Sequence, residues 1–570
     1  MSDSRRTNGR HYTSREIIHR VIDPLFLDEL RAELDAIKRK TDRLAALERF
    51  QDKLASLTFL DPACGSGNFL IETCNSLRAL ENEVLGEMLK LGVSGETGVT
   101  LDQFFGIELE SSACELAARH CARIVCGNAL ELDWNEVVPG GVDYIIGNPP
   151  FVGASMMNAE QKRQAVAIFG TGRLVKSLDY VGAWFCKAAA LMRGTETRAA
   201  FVSTSSICQG EQVAPLWQKL FGDFGIHIDF ARRTFRWQSD LENSAAVHCV
   251  IIGFSHAPSG RRKIIFDGER KLVARNINAY LLDAPDVFIR SRSKPLCNDA
   301  PRVTKGNQPT DGGNLLLTCE ERERLLRDAP ALECCIRRYI GARDFISGDE
   351  VRYCLWLQGV EPGVYCDNEE IARRLDAVRK FRAASTSKPT RVMAEKAALF
   401  FSRPQSDGQS SLLIPRVSTS ARRYIPMAFA GAGDIASDSL SIVHGADRFH
   451  FGVLESSVHM AWTRAVCGRF GDEYRYSGSV VCNNFVWCER SARIESTAQS
   501  ILDARSRYSD RSLAFLYDET TMPDELRAAH TENDRAVLSA YGFSESMSEA
   551  EIVARLMEMY QQLTEAIDHE

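Results

Sequence analysis

Two short stretches concentrate the residues best suited to chemistry. In D-Y-I-I-G-N-P-P-F-V-G (Asp143–Gly153), a strand-like apolar run meets Asn148, Pro149, Pro150 and Phe151. Neither proline can donate a ladder hydrogen bond, so the strand must stop and the turn must be stiff. The Asn148 side-chain oxygen and the Pro149 carbonyl can each accept one N–H of an exocyclic amine, and Phe151 can stack on the ring that carries it. In D-P-A-C-G-S-G-N-F-L (Asp61–Leu70), Asp61, Pro62, Ala63, Cys64, Gly65, Gly67, Asn68 and Phe69 lead from an apolar run into a helical pattern. The glycines permit a tight turn and close backbone approach to a ligand.

This turn lacks the third glycine of a dinucleotide fingerprint, because Leu70 takes its place. It begins with a carboxylate, which suits a positively charged group such as an amino-acid ammonium better than a phosphate. Glu108 ends the next apolar run, in F-G-I-E-L-E, where a carboxylate can accept both hydroxyls of a ribose. Asn128 and Ala129, in C-G-N-A-L, end the third run, where an adenine would lie. Together these pieces describe an aminoacyl adenosine, S-adenosylmethionine.

Such residues must be held at the ends of neighbouring strands, and the surrounding pattern supplies them. Residues 14–56 carry apolar positions at helical spacing, among them Ile17, Ile18, Val21, Leu27, Leu30 and Leu34. Strands are expected at Leu57–Leu60, Phe104–Leu109, Ile124–Cys126, Tyr144–Ile146 and Ala199–Ser203, with helices such as Asn68–Leu85 and Leu178–Met192 between them. This alternation predicts a parallel, doubly wound sheet. Ile226–Ala231 and Ala246–Phe254 lack a connecting helix and are expected to close one edge as an antiparallel hairpin. The loop-rich Ser293–Asn314 marks a domain boundary. Four regions follow: an N-terminal helical segment (1–56), a doubly wound domain (57–295), a mixed α/β region (296–490) with strands at Leu412–Val417, Ser439–Val443 and His450–Leu454, and a helical C-terminus (491–570).

The chain has 570 residues, a net charge of −7 and 17 cysteines, none of them in a C-x-x-C pair. That argues against a disulfide framework or zinc knuckle and for reduced thiols in the cytoplasm. No secretory signal and no membrane span are expected. Between Arg379 and Arg403 lie seven basic residues against one acid, Glu395.

The motifs, in this order, resemble the N6-adenine DNA methyltransferases of the gamma arrangement. G-R-H-Y-T-S (Gly9–Ser14) is similar to their upstream Y-T-P cofactor motif, with Tyr12 and Thr13 in place and Ser14 for proline. D-Y-V-G-A-W-F-C-K-A-A, A-F-V-S-T-S-S-I-C-Q-G-E-Q-V, A-V-H-C-V-I-I-G-F and H-M-A-W-T-R-A-V-C-G-R-F are similar to segments of the type IIL restriction–modification enzymes. The resemblance implies a Rossmann-like class I methyltransferase domain with a seven-stranded, mostly parallel sheet, followed by a target-recognition domain. It implies methyl transfer from S-adenosylmethionine to an adenine flipped out of double-stranded DNA, in a restriction–modification or phage-defence system. Phe235 or Trp237, in R-T-F-R-W, would complete the aromatic sandwich around the base.

Type IIL enzymes carry a metal-dependent nuclease ahead of the cofactor motifs. The nearest approach to its D…E-x-K constellation here is Asp267, Glu269 and Lys271, too crowded on one strand end, so no nuclease and no metal site are expected. A nuclease or defence-system subunit on a separate chain remains open as a partner. The crossover Ser111–Arg123 is shorter than in the family and puts activity in question. Methyltransferases of protein glutamine or RNA share the N-P-P turn and stand as alternatives, as does a weakly catalytic DNA-binding subunit. In the expected recognition region, Arg464–Ser477 mixes arginines, acids and tyrosines. Arg469, Asp472, Glu473 and Arg475 suit base-edge readout, while the basic run at 379–403 suits phosphate contacts.

Overall fold

The structure, a computed structural model, describes residues 13–118, 123–172, 177–237, 247–256, 260–348, 351–405, 410–431 and 433–569. The chain divides into two compact units, Met1–Phe288 and Ile289–Glu570.

In the first unit, helices α1 (Arg15–Ile22), α2 (Asp28–Lys38) and α3 (Leu44–Ser56) precede the sheet. Their apolar stripes, including Ile18, Val21, Leu30, Leu34, Leu47 and Phe50, are buried in its core. The sheet contains β1 (Phe59–Asp61), β2 (Phe104–Glu108), β3 (Arg123–Cys126), β4 (Tyr144–Gly147), β5 (Arg198–Thr204), β6 (His227–Trp237), β7 (Val247–Ser255), β8 (Lys263–Asp267) and β9 (Arg270–Ala274). Their order is β3-β2-β1-β4-β5-β7-β6-β8-β9. The first five run parallel, and β7 lies antiparallel to both β5 and β6.

The seven expected strands are thus joined by two more, and the β6–β7 pair does not form the edge. β8 pairs parallel with β6, and β9 folds back antiparallel on β8 around Gly268, at φ +58°. The D-G turn between two short alternating runs is a hairpin signal in the sequence. The same F-D-G-E-R-K segment holds the acids considered above for a metal. Asp267 there pairs with Arg233 at 3.0 Å.

β1 and β2 are buried along their whole length, as strands covered on both faces must be. Phe59 of β1 stacks on Phe104 of β2 and Tyr144 of β4, with ring centroids 5.3 and 5.4 Å apart. Helix α4 (Asn68–Lys90) follows β1, and α5 (Ser111–Ala118) follows β2. The remainder of the short crossover, 119–122, lies outside the described residues. Leu60 is registered with Phe105 on one side and Ile145 on the other. Strand order therefore reverses at β1, and the crevice beyond the carboxyl ends of β1, β2 and β4 is where doubly wound sheets bind ligands.

Among the described residues the second unit contains two four-stranded sheets and one of three strands. The expected strands near 412–417 and 439–443 are present as Ser411–Pro415 and Leu440–His444, which pair antiparallel. His450–Leu454, expected as a strand, lies instead in the helix Arg448–Leu454. The Asp447 side chain caps it by accepting from the His450 N–H. Helices Ala492–Ser506, Asp524–Ala540 and Glu549–His569 close the chain. Among the described residues no helix is long and apolar enough to cross a membrane.

Candidate active site

Between β1 and α4 the backbone turns through Gly65 (φ +54°) and Gly67 (φ +86°), both in the left-handed region that glycine adopts freely. Carboxylates fix this turn from two sides. Asp61 accepts from the Ala63 N–H at 3.0 Å, and Glu108, at the end of β2, accepts from the Gly65 and Glu110 N–H groups, each at 3.0 Å. The Cys64 N–H donates to the Ile107 carbonyl at 3.0 Å, tying the turn to β2. Asp61 is 1% exposed, and burial pushes its carboxyl up to about 8, against the Ala63 hydrogen bond and with a smaller contribution from Glu108.

Beyond β3, the Asn128 side chain accepts from the Leu130 N–H at 3.0 Å, and the Trp134 indole holds the Ala129 carbonyl at 2.8 Å. The third strand end is thereby shaped by contacts within its own turn.

The N-P-P-F turn leaves β4 directly beside Asp61. A Cβ added to Gly147 would lie 2.6 Å from Asp61 Oδ1, so only glycine lets the two strand ends come this close. Asn148 Nδ2 donates to Thr13 Oγ1 at 3.2 Å, while Asn148 Oδ1 is buried and has no hydrogen-bond partner among the described residues. Pro149 is buried, and Phe151 is half-buried at the margin of the core. Thr13 is 6% exposed and stands just before α1. That helix is tied to α4 by Arg15 and His19, which contact Glu72 at 2.8 and 2.9 Å. Burial alone would lower His19, but its hydrogen bonds to Asp23 and Glu72 raise it above the usual histidine range. Tyr12 lies outside the described residues.

The two aromatic candidates on β6 differ. Trp237 is 2% exposed and packed within the core, with no face to offer a base. Phe235 is half-buried, and the Arg20 guanidinium of α1 lies 5.6 Å from its ring centroid.

The sequence reading assigned no role to several residues that hold this site together. Ahead of helix α6 (Gly182–Leu191), Asp179 accepts from the Ala154 N–H at 2.9 Å and the Ser206 hydroxyl at 2.5 Å. The Tyr180 N–H donates to the Val152 carbonyl at 2.9 Å. Trp184 of α6 packs edge-on against Tyr180, and its indole N–H reaches the Pro62 carbonyl at 3.2 Å. One segment, D-Y-V-G-A-W, thus clamps the N-P-P-F turn and the glycine turn together. The segment was legible as a family-like stretch and as part of a helix expected at Leu178–Met192, but the helix begins at Gly182 and leaves Asp179 and Tyr180 free to make these contacts.

In the second unit, Arg469–Phe470 and Glu473–Arg475 form a hairpin that pairs with Val417–Thr419. Asp472, Glu473 and Arg475 are exposed, and Phe470 at the tip is 72% exposed. Arg469 is half-buried over the Tyr474 ring at 4.6 Å, with Nη2 on the Arg464 carbonyl at 3.1 Å. The basic run is less available than its composition suggested. Arg382 is fully buried and donates to five backbone carbonyls, those of Pro309, Thr310, Met393, Lys396 and Leu399. Exposed Arg391 donates through Nη1 to the Ser385 and Thr386 carbonyls, and Lys380 pairs with Asp376 at 2.7 Å. Arg382 is therefore a core residue and not a phosphate contact.

Three family models match successive parts of the chain. They are the MmeI DNA-methyltransferase domain at residues 36–120 and 116–267, the MmeI target recognition domain at 283–489 and the MmeI C-terminal domain at 488–568. DNA methyltransferase A of Bacillus subtilis (strain 168) is 38% identical over 606 residues, covering 99% of this chain and 67% of that protein. A solved structure of the type IIL restriction–modification enzyme MmeI in complex with DNA matches at 39% identity with a TM-score of 0.87, covering 99% of this chain and 80% of that one.

Proposed function

Because the chain belongs to the MmeI family of restriction–modification DNA methyltransferases, we propose that it methylates the exocyclic N6 of an adenine flipped out of double-stranded DNA, with S-adenosylmethionine as donor. The observation that carries this reading is the buried Asn148 Oδ1 beside the Asp61 turn, which has no hydrogen-bond partner among the described residues. A buried acceptor without a partner is costly unless an incoming N–H satisfies it.

The residues present fit the proposed donor. The buried Asp61 carboxylate suits the ammonium of the amino-acid end, and Glu108 at the next strand end suits ribose hydroxyls. Asn128 and Ala129 at the third strand end suit the adenine edge. Bound there, S-adenosylmethionine supplies an electrophilic methyl group. The chain's own task is the nucleophile. An adenine amine is weak because its lone pair is delocalised into the ring. Asn148 Oδ1 and the Pro149 carbonyl, each accepting one N–H, would hold the nitrogen so that its lone pair turns out of the ring plane. The prolines keep both acceptors fixed, which leaves little reorganisation for the reaction itself. Phe151 supplies one stacking face, and Phe235 is the better second candidate. The target must leave the duplex, since its amine is otherwise paired and stacked. In the second unit, the exposed Asp472, Glu473 and Arg475 of the hairpin serve as candidate readers of base edges, with half-buried Arg469 beside them.

The test is to incubate the purified chain with tritiated S-adenosylmethionine and mixed-sequence duplex DNA, then separate the nucleosides. Label in N6-methyladenine is expected. Label in cytosine, or in RNA or protein offered alongside, would overturn the reading.

A further inference from the structure

We propose that Thr13 is a positioning residue for methyl transfer: its hydroxyl holds the plane of the Asn148 amide so that Oδ1 meets the substrate amine. This rests on the assignment of Asn148 as acceptor. The two residues are 135 positions apart and meet through a 3.2 Å hydrogen bond from Asn148 Nδ2 to Thr13 Oγ1. Thr13 is 6% exposed, so water is poorly placed to replace that hydroxyl.

An asparagine amide rotates about its last torsion with only a broad preference, so an acceptor on it is no better aimed than its neighbours make it. The prolines stiffen the backbone of the turn but do not act on that torsion. Thr13 does. A hydroxyl can donate as well as accept, so Thr13 holds the amide plane in either sense. The substrate then selects the sense, because a turned amide would press its own N–H groups against those of the amine. Thr13 is itself anchored. The Ile18 N–H donates to the Ser14 carbonyl at 3.1 Å, opening α1, whose Arg15 and His19 contact Glu72 of α4. The upstream motif thereby acts on the catalytic amide, whereas the family resemblance placed it with the cofactor.

The experiment compares full chains carrying Thr13→Val, Thr13→Ala and Thr13→Ser. Single-turnover methylation is measured at saturating S-adenosylmethionine and DNA, and cofactor affinity by titration. Removing the hydroxyl, in Val or in Ala, should slow transfer about tenfold, the scale of one lost hydrogen bond. Cofactor affinity should stay within about twofold, and Ser should restore most of the rate. Weakened cofactor binding with an unchanged rate would overturn the proposal, as would equal losses in Ser and Val. Asn148→Ala separates the two levels. If it is inactive while Thr13→Val and Thr13→Ala are fully active, the positioning role alone falls. If Asn148→Ala is fully active, the acceptor assignment falls and the positioning role with it.

Discussion

At the scale of single residues, the proposed site offers one buried acceptor, Asn148 Oδ1, that has no hydrogen-bond partner among the described residues. Asn148→Ala removes the buried Oδ1 and should cut methylation at least about a hundredfold, the usual loss for one preorganised group. Cofactor affinity, measured by titration on the same variant, should hold. Asp61 predicts a pH dependence. Its carboxyl lies at about 8 in the ligand-free chain against an ordinary 3.8. Its contribution to stability is therefore fully present below about 3.8 and is lost as pH rises through about 8. An ammonium beside Asp61 favours the ionised form, so cofactor binding below that pH must release its proton. Affinity should weaken by up to about tenfold per unit as pH falls from 8 towards 6, and Asp61→Asn should flatten the profile. The residues of each motif were legible because they are contiguous. Their pairings were not. Nothing in sequence says that Gly147 must be small because Asp61 lies beside it, or that Thr13 finds Asn148.

At the scale of elements, the hairpin of the second unit and the helix Glu369–Ala383 carry opposite lessons. The exposed Glu473 stands on a strand of only three residues. Glu473→Lys should change which base is accepted at one position of the methylated sequence, read by sequencing the modified sites, with cofactor affinity unaltered. Arg382, in the helix, looked like its neighbour Lys380 in a basic run. The buried stripe Ile371, Arg374, Val378 and Arg382 shows why composition misled, since period and not charge decides which face turns inward. Arg382→Gln should lower the melting temperature, through loss of about 3 kcal/mol or more from unsatisfied buried carbonyls, and leave the salt dependence of DNA binding unmoved. The five parallel strands were legible from their apolar runs. β8 and β9 were missed although their D-G turn signals a hairpin, because the acids at that turn were weighed only as metal ligands. The helix at 448–454 was misread because its apolar run is as short as a strand, and only Asp447 marks its start.

At the scale of the whole molecule, the chain forms two compact units, and the residues proposed for methyl transfer all belong to the first. S-Adenosylmethionine at about a hundredfold over its Kd should stabilise the folded first unit by about 2.7 kcal/mol. Hydrogen exchange should show the protection at the ends of β1, β2 and β4. The nine-stranded sheet of that unit has a further consequence. Among the described residues its two outermost strands are β3 and β9, and an open edge presents unpaired backbone groups to any other chain. Each edge is short and carries cations: Arg123 on β3, and Arg270 and Lys271 on β9. β9 also leaves Leu272 and Val273 exposed, the kind of surface on which strands add. Arg270 and Lys271 beside them set positive charge along that edge, which opposes the addition of a second copy of the same strand.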